Sequence, residues 1–213
     1  MPQPHCALCR SFLSDPQVHC TNCRRVTPLL WVYSLGIYDD HFSHLIKAYK
    51  YEGKIGLGKL LGRMLGEQLA QFPHVGAIDM VCSVPIHKSK ERRRGFDQTA
   101  IIAREVASAI SVPFEVGVLV QSKPNKDQIG LTVEGRYQNV SGMFSVPHEH
   151  LEKLISKRIL IVDDVTTSGA TLNSASVTLL SSGAASVAAA TLAMALEDGL
   201  EPSALYALMS EEF

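Results

Sequence analysis

The stretch Ile159-Leu160-Ile161-Val162-Asp163-Asp164-Val165-Thr166-Thr167-Ser168-Gly169-Ala170-Thr171 constrains the fold more than any other part of the chain. It opens on four consecutive apolar, mostly β-branched residues. That run suits one strand covered on both faces and is too short for a helix. Two carboxylates come next, then hydroxyls and one glycine, and a helical pattern begins at Ala170-Thr171-Leu172. A strand that ends in acids and leads through a small-residue turn into a helix N-terminus is how an open α/β sheet holds a phosphorylated ligand. Taken alone, the acid pair leaves two other readings open. It could bind Mg2+, as in phosphate-handling α/β proteins generally, or be an inert remnant of the motif in a binding protein.

With 213 residues, 46% of them hydrophobic, the chain can hold one good core and a small appended module. A formal net charge of −1 means that any affinity for nucleic acid has to come from a local patch. No apolar run reaches the roughly 18 residues a membrane span needs. The start, Met1-Pro2-Gln3-Pro4-His5-Cys6, lacks the layout of a signal peptide, so a cytoplasmic protein without membrane insertion is expected.

In that reducing compartment the cysteines read as metal ligands or buried thiols. Cys6 and Cys9 form one Cys-x2-Cys knuckle, Cys20 and Cys23 a second, with ten residues between them. Two such pairs complete the closed tetrahedral shell of a structural zinc, which is preferred here to a redox or disulfide role. The intervening residues are too polar to make a core without the metal. Residues 1–28 are therefore expected to form a zinc-binding module and residues 29–213 the main domain.

Within the main domain, residues 28–37 read as a β-like passage, Leu45 to Tyr49 as part of a short helix, and residues 57–71 as an amphipathic helix weakened by its glycines. Residues 78–84 read as a buried strand with Cys82 a core residue. After Pro85-Ile86-His87 comes a cationic block with Lys88, Lys90, Arg92, Arg93 and Arg94, expected as a loop facing the same crevice as the opening motif, followed by a helix capped by Asp97. Cations there would counter a pyrophosphate or a nucleic-acid backbone. Residues 114–120 and 143–146 read as short strands. The long polar connection between them, carrying Lys123, Lys126, Gln128, Arg136 and Asn139, has the length of a functional lid. Residues 172–180 complete a helix, and residues 186–194 form a last strand of small residues.

Residues 159–171 resemble the signature of the type I phosphoribosyltransferases, which use 5-phosphoribosyl 1-pyrophosphate (PRPP). The whole chain resembles the competence-associated ComF family within that group. The four-cysteine module, Val84-Pro85-Ile86-His87, Arg94-Gly95-Phe96-Asp97-Gln98, Lys123-Pro124 with Gln128 and Leu131, Arg136 with Asn139, and Phe144 all carry the likeness. One departure is Asp97, where the family more often has Asn; either residue caps a helix.

The resemblance implies a mainly parallel sheet flanked by helices, a flexible lid and a small zinc-ribbon-like module. Asp163 and Asp164 would hold the ribose hydroxyls and, with Lys123 and Arg136, form the catalytic set. Val165, Thr166, Thr167, Ser168, Gly169, Ala170 and Thr171 would wrap the 5′-phosphate, and Pro85, Ile86, His87 and Lys88 the pyrophosphate. Mg2+ would accompany the PRPP. The family also implies handling of incoming single-stranded DNA during natural transformation, with Lys88, Lys90, Arg92, Arg93 and Arg94 as the DNA-binding patch and a DNA-uptake helicase or translocase as partner. The alternative is a catalytically silent adaptor that senses PRPP and binds single-stranded DNA. The acceptor and the oligomeric state are not legible.

Overall fold

The computed structural model describes residues 27–121, 142–167 and 169–195. The four cysteines of the expected zinc module, the lid residues Lys123 and Arg136, and Ser168 lie outside these residues. Four parallel strands form the main sheet in the order β1-β6-β5-β2. They are β1 (Leu29–Ile37), β2 (Met80–Ser83), β5 (Arg158–Thr166) and β6 (Ser186–Met194). Phe114 extends the sheet by a single parallel bridge to Val81. Two short strands, β3 (Val120–Gln121) and β4 (Phe144–Ser145), pair antiparallel at the two ends of the undescribed residues 122–141. The longer strands expected over 114–120 and 143–146 are thus reduced to this pair and the bridge.

β5 lies inside the sheet, between β6 and β2, and its side chains alternate between two cores. Ile159 and Ile161 join a cluster with Leu154 of helix α5 (His148–Leu154) and Leu172, Ala175 and Leu179 of helix α6 (Ala170–Ser181). Leu160 and Val162 join another with helices α1 (Asp40–Tyr51), α2 (Ile55–Ala70) and α4 (Gln98–Ala109). The period of two in a strand, with both faces covered, is the physical reason an unbroken apolar run is needed here. All four of these residues have no exposed surface. β6 beside it uses Ala188, Ala189 and Ala190, leaving room for the larger side chains of its neighbours.

The glycines of α2 are its packing surface. A Cβ on Gly62 would come within 3.0 Å of the Ile102 carbonyl oxygen, and one on Gly66 within 2.5 Å of the Ala109 Cβ. Their absence lets α2 approach the backbone of α4, so residues that lower helix propensity stabilise the helix pair through close contact. Cys82 is 1% exposed in the core, as expected, and its burial pushes the thiol up to about 12. Among the described residues no helix is long and apolar enough to cross a membrane.

Candidate functional site

The carboxyl ends of β2, β5 and β6 converge on the acid pair. The sequence reading ended the strand in the two acids, but β5 runs on past both of them to Thr166. The cause is β6 alongside, whose backbone continues the ladder with Asp163 opposite Thr191 and Thr166 opposite Met194. The chain then turns through exposed Thr167 to Gly169, whose φ of 72° and ψ of −1° put it in the left-handed region that glycine enters without strain. Ala170 opens α6, and Asn173 N–H donates to the Gly169 carbonyl at 2.9 Å. Among the described residues no side chain caps this end. The first-turn N–H groups of α6 are therefore placed to receive an anion.

Asp164 is 7% exposed and meets two donors from elsewhere in the chain. Lys50 Nζ, on the last turn of α1, lies 2.8 Å from Asp164 Oδ2, and Gln98 Nε2, at the start of α4, donates to the same oxygen at 3.1 Å. Both donors converge on Oδ2, so Oδ1 is left uncommitted among the described residues. Burial pushes the Asp164 carboxyl up, but the Lys50 charge and the two hydrogen bonds outweigh it and hold the group below the usual carboxylate range. Burial likewise pushes the Lys50 ammonium down, and Asp164 outweighs that and raises it. Asp163 goes the other way: burial, then the adjacent negative charge of Asp164, raise it well above the usual range. Its Oδ1 accepts the Asp164 N–H at 2.8 Å. The pair thus carries one firmly held negative charge and one carboxyl that favours its proton.

Across the site, β2 ends beside β5, with Val84 N–H donating to the Val162 carbonyl at 2.9 Å. Thr99 Oγ1 donates to the Val84 carbonyl at 2.6 Å, tying the start of α4 to this strand end. Pro85, Ile86 and His87 follow, all partly buried. The cationic block is not the expected loop: Lys88–Arg94 form a helix, α3. His87 caps it, its Nδ1 accepting the Ser89 N–H at 3.2 Å. Three arginines in the last turn complement the helix dipole, and Gly95 at φ 79° closes it with an N–H to the Glu91 carbonyl at 2.7 Å. His87 therefore spends one ring nitrogen on structure. Lys88, Arg92 and Arg93 are exposed, while Lys90 and Arg94 are partly buried.

Each residue of Arg94-Gly95-Phe96-Asp97-Gln98 has a distinct role. Arg94 stacks over the Tyr51 ring, with Cζ 5.1 Å from its centre, and Gly95 turns the chain. Phe96 packs on Tyr49 at 5.5 Å between ring centres. Asp97 caps α4 by accepting the Ala100 N–H at 3.0 Å. Gln98 reaches Asp164, while its own carbonyl accepts the Tyr49 hydroxyl at 2.7 Å.

Lys50, Tyr49 and Tyr51 are the contributors that sequence reasoning missed, since it took Leu45 to Tyr49 only as part of a short helix. A signal was present. Ile46 and Lys50 are four residues apart, so the lysine shares the buried face of α1, and a buried cation requires an acid partner.

Residues 97–212 match the phosphoribosyl transferase domain, and the chain belongs to that family. Its class is accordingly that of a phosphoribosyltransferase, with the mostly parallel, helix-flanked sheet expected of one. Among curated proteins it is similar to competence protein F of Haemophilus influenzae, 27% identical over 175 residues, which are 80% of this chain and 76% of that one. It is also similar to the DNA utilization protein YhgH of Salmonella typhimurium, 24% identical over 188 residues, 85% of this chain and 80% of that one.

Among solved structures it resembles the glutamine phosphoribosylpyrophosphate amidotransferase of B. subtilis, at 24% identity and a TM-score of 0.45 over 68% of this chain. The chain spans only 30% of that structure's length. A purine phosphoribosyltransferase from Pyrococcus horikoshii is 20% identical at a TM-score of 0.40, covering 71% of this chain and 80% of that one.

Proposed function

We propose that this chain binds PRPP at the carboxyl edge of its sheet and, in the cytoplasm, works in the handling of incoming single-stranded DNA during natural transformation. The observation that carries the first part is the acid pair on the interior strand, flanked by the start of α6 on one side and the cationic helix α3 on the other. A ribose carrying a phosphate at one end and a diphosphate at the other offers hydroxyl donors to Asp164 Oδ1 and Asp163, one anion to the α6 turn and another to the cations. The competence role is supported by the similarity to competence protein F and YhgH and by the exposed cations Lys88, Arg92 and Arg93.

In the transfer step the bond from C1′ to the diphosphate oxygen breaks, and its electron pair leaves with the diphosphate. An acceptor's lone pair forms the new bond at C1′, and its proton passes to solvent. The charge held on Asp164 favours the positive ribosyl centre that develops, and the cations opposite favour the leaving anion.

Among the described residues no three His, Cys, Asp or Glu side chains are placed to hold a metal ion. A Mg2+ is proposed to arrive on the ligand's diphosphate and take at most one or two protein carboxylates, where it would neutralise charge on the leaving group. Cys6, Cys9, Cys20 and Cys23 are proposed to bind one structural zinc, and a DNA-uptake helicase or translocase is the proposed partner. Zinc content near one per chain, with the cysteine thiols becoming reactive when a chelator strips it while Cys82 stays unreactive, is the expected result. A zinc-free chain with the same thiol reactivity would remove the module.

Calorimetry with PRPP and Mg2+ on the wild type and on Asp163→Ala/Asp164→Ala tests the site. Binding in the first and none in the second is expected, and equal affinity would sink the ribose assignment. A screen for PRPP-dependent pyrophosphate release, with and without single-stranded DNA, separates the transferase from the silent adaptor. Binding without release in every acceptor mixture leaves the adaptor.

A further inference from the structure

The acid pair meets a cation before any ligand arrives. Two adjacent carboxyls in a buried place need positive charge close by, and either a divalent metal ion or a basic side chain can supply it. Here the chain supplies its own. Lys50 Nζ stands 2.8 Å from Asp164 Oδ2, with 17% of the lysine side chain and 10% of the aspartate side chain exposed. A Mg2+ bound to that oxygen would sit roughly 2.1 Å from it and be brought against the ammonium. The Arg94 charge also reaches both Asp164 and Lys50, so a divalent ion would meet two like charges at once.

The ammonium is built into this place. Lys50 lies in the last turn of α1, where the helix dipole favours a cation, and one helical turn beyond buried Ile46. Tyr49 beside it has no exposed surface and donates its hydroxyl to the Gln98 carbonyl at 2.7 Å. That bond ties the end of α1 to the start of α4, and Gln98 Nε2 donates at 3.1 Å to the oxygen that Lys50 holds. Drawing the lysine aside would leave a buried carboxylate with one neutral donor, which is costly. Asp163 does not offer a second full carboxylate either, since its Oδ1 accepts the Asp164 N–H at 2.8 Å.

We propose that Lys50 is the resident cation of the acid pair, standing where a protein-bound divalent ion would otherwise sit, so that the ligand-free chain takes no Mg2+ at Asp164. The pair is thereby kept for hydroxyl donors, and a metal reaches the site only on a ligand that brings oxygens of its own. Lys50 acts through Asp164: it is a positioning residue that engages Oδ2 and leaves Oδ1 for the ligand. That role follows from the distances around Asp164 alone and holds whether or not the ligand is PRPP.

Mn2+, a spectroscopic stand-in for Mg2+, is the probe. Its binding to the full chain is followed by electron paramagnetic resonance with no phosphate ligand present, and melting temperatures are taken with and without the ion. The wild type should bind no more Mn2+ than Asp164→Asn. Lys50→Met should bind it about tenfold more tightly than the wild type, or better, because a like charge in contact is strongly repulsive, and the ion should raise its melting temperature. The gain should vanish in Lys50→Met/Asp164→Asn. A lysine that only supports the fold would lower the melting temperature on replacement without opening a metal site. Should Lys50→Met not fold, Lys50→Gln, which keeps a neutral donor for Asp164, carries the same readings.

Mn2+ bound by the wild type and lost in Asp164→Asn overturns the proposal. So does a Lys50 variant that folds and binds the ion no more tightly, or a gain that survives Asp164→Asn. PRPP is absent from every arm. A wild type that takes no PRPP, alongside a Lys50→Met that gains Mn2+, would sink the phosphoribosyl reading and leave the assignment of Lys50 standing.

Discussion

β5 takes part in an acid–base pair at each of its ends, through Arg158 at one and Asp164 at the other, and the two pairs are built differently. At the amino end Arg158 grips Asp79 with Nε to Oδ2 at 2.8 Å and Nη2 to Oδ1 at 2.7 Å, while the Arg158 N–H adds a third bond at 2.9 Å. Both carboxylate oxygens are engaged, and these bonds hold Asp79 below the usual carboxylate range. At the carboxyl end Lys50 and Gln98 share one oxygen of buried Asp164, the other is uncommitted among the described residues, and Gln98 Oε1 is buried with no partner among them. The first pair is closed and its job is to fix register. The second is incomplete, and an incomplete polar cluster kept in a buried place marks where a ligand completes it.

Removing one partner at each end should expose that difference. Lys50→Met leaves Asp164 buried with Gln98 alone and should cost about 3 kcal/mol in urea unfolding, the usual scale for breaking a buried pair. PRPP binding should fall with it. Asp79→Asn at the exposed end should leave PRPP binding unchanged and shift the unfolding midpoint little. Equal effects at both ends would erase that distinction.

Gly58→Ala attacks the carboxyl end through packing, since the new methyl would collide with the Tyr49 ring whose hydroxyl holds the Gln98 carbonyl. Overpacking of this kind costs about 1–3 kcal/mol, and denaturant unfolding with PRPP titration should show both stability and affinity reduced. Asp97→Ala removes the cap of α4 and should cost about 1 kcal/mol. His87→Ala, the cap of the exposed helix α3, should cost less in the same measurement.

Asp163→Asn should stabilise the ligand-free protein slightly, with a pH dependence set by the raised folded-state affinity of Asp163 for its proton. Below about pH 4 both folded and unfolded chains are protonated there, and the substitution changes nothing. Above it the unfolded chain ionises while the folded one retains the proton, so the wild type loses stability that the amide does not. A melting-temperature gain that grows from pH 4 toward neutrality is expected, and a gain that is the same at every pH would contradict the assignment.

Much of this arrangement was legible in the residues. Four apolar residues before two acids marked the interior strand, because only burial on both faces calls for such a run. Gly169 marked the turn, because few other residues accept its backbone angles. Asp97 marked a helix start by its side-chain acceptor. The block from Lys88 to Arg94 was misread as a loop because like charges suggest solvation, and the features that make it a helix, the His87 cap and the Gly95 stop, count only once the strand before it has ended. The end of β5 was misplaced by the same logic, since a ladder needs its neighbour β6 and a sequence does not display pairings.

By itself the sequence determined that two carboxylates would stand at the end of an interior strand before an anion-binding turn, because those constraints are local and steric. Only the tertiary structure decided which carboxylate holds the charge and which cation faces it. Lys50, Gln98 and Arg94 come from three separate helices. Their effect on Asp164 depends on distances of a few ångströms and on the removal of water, and neither exists until the chain has folded.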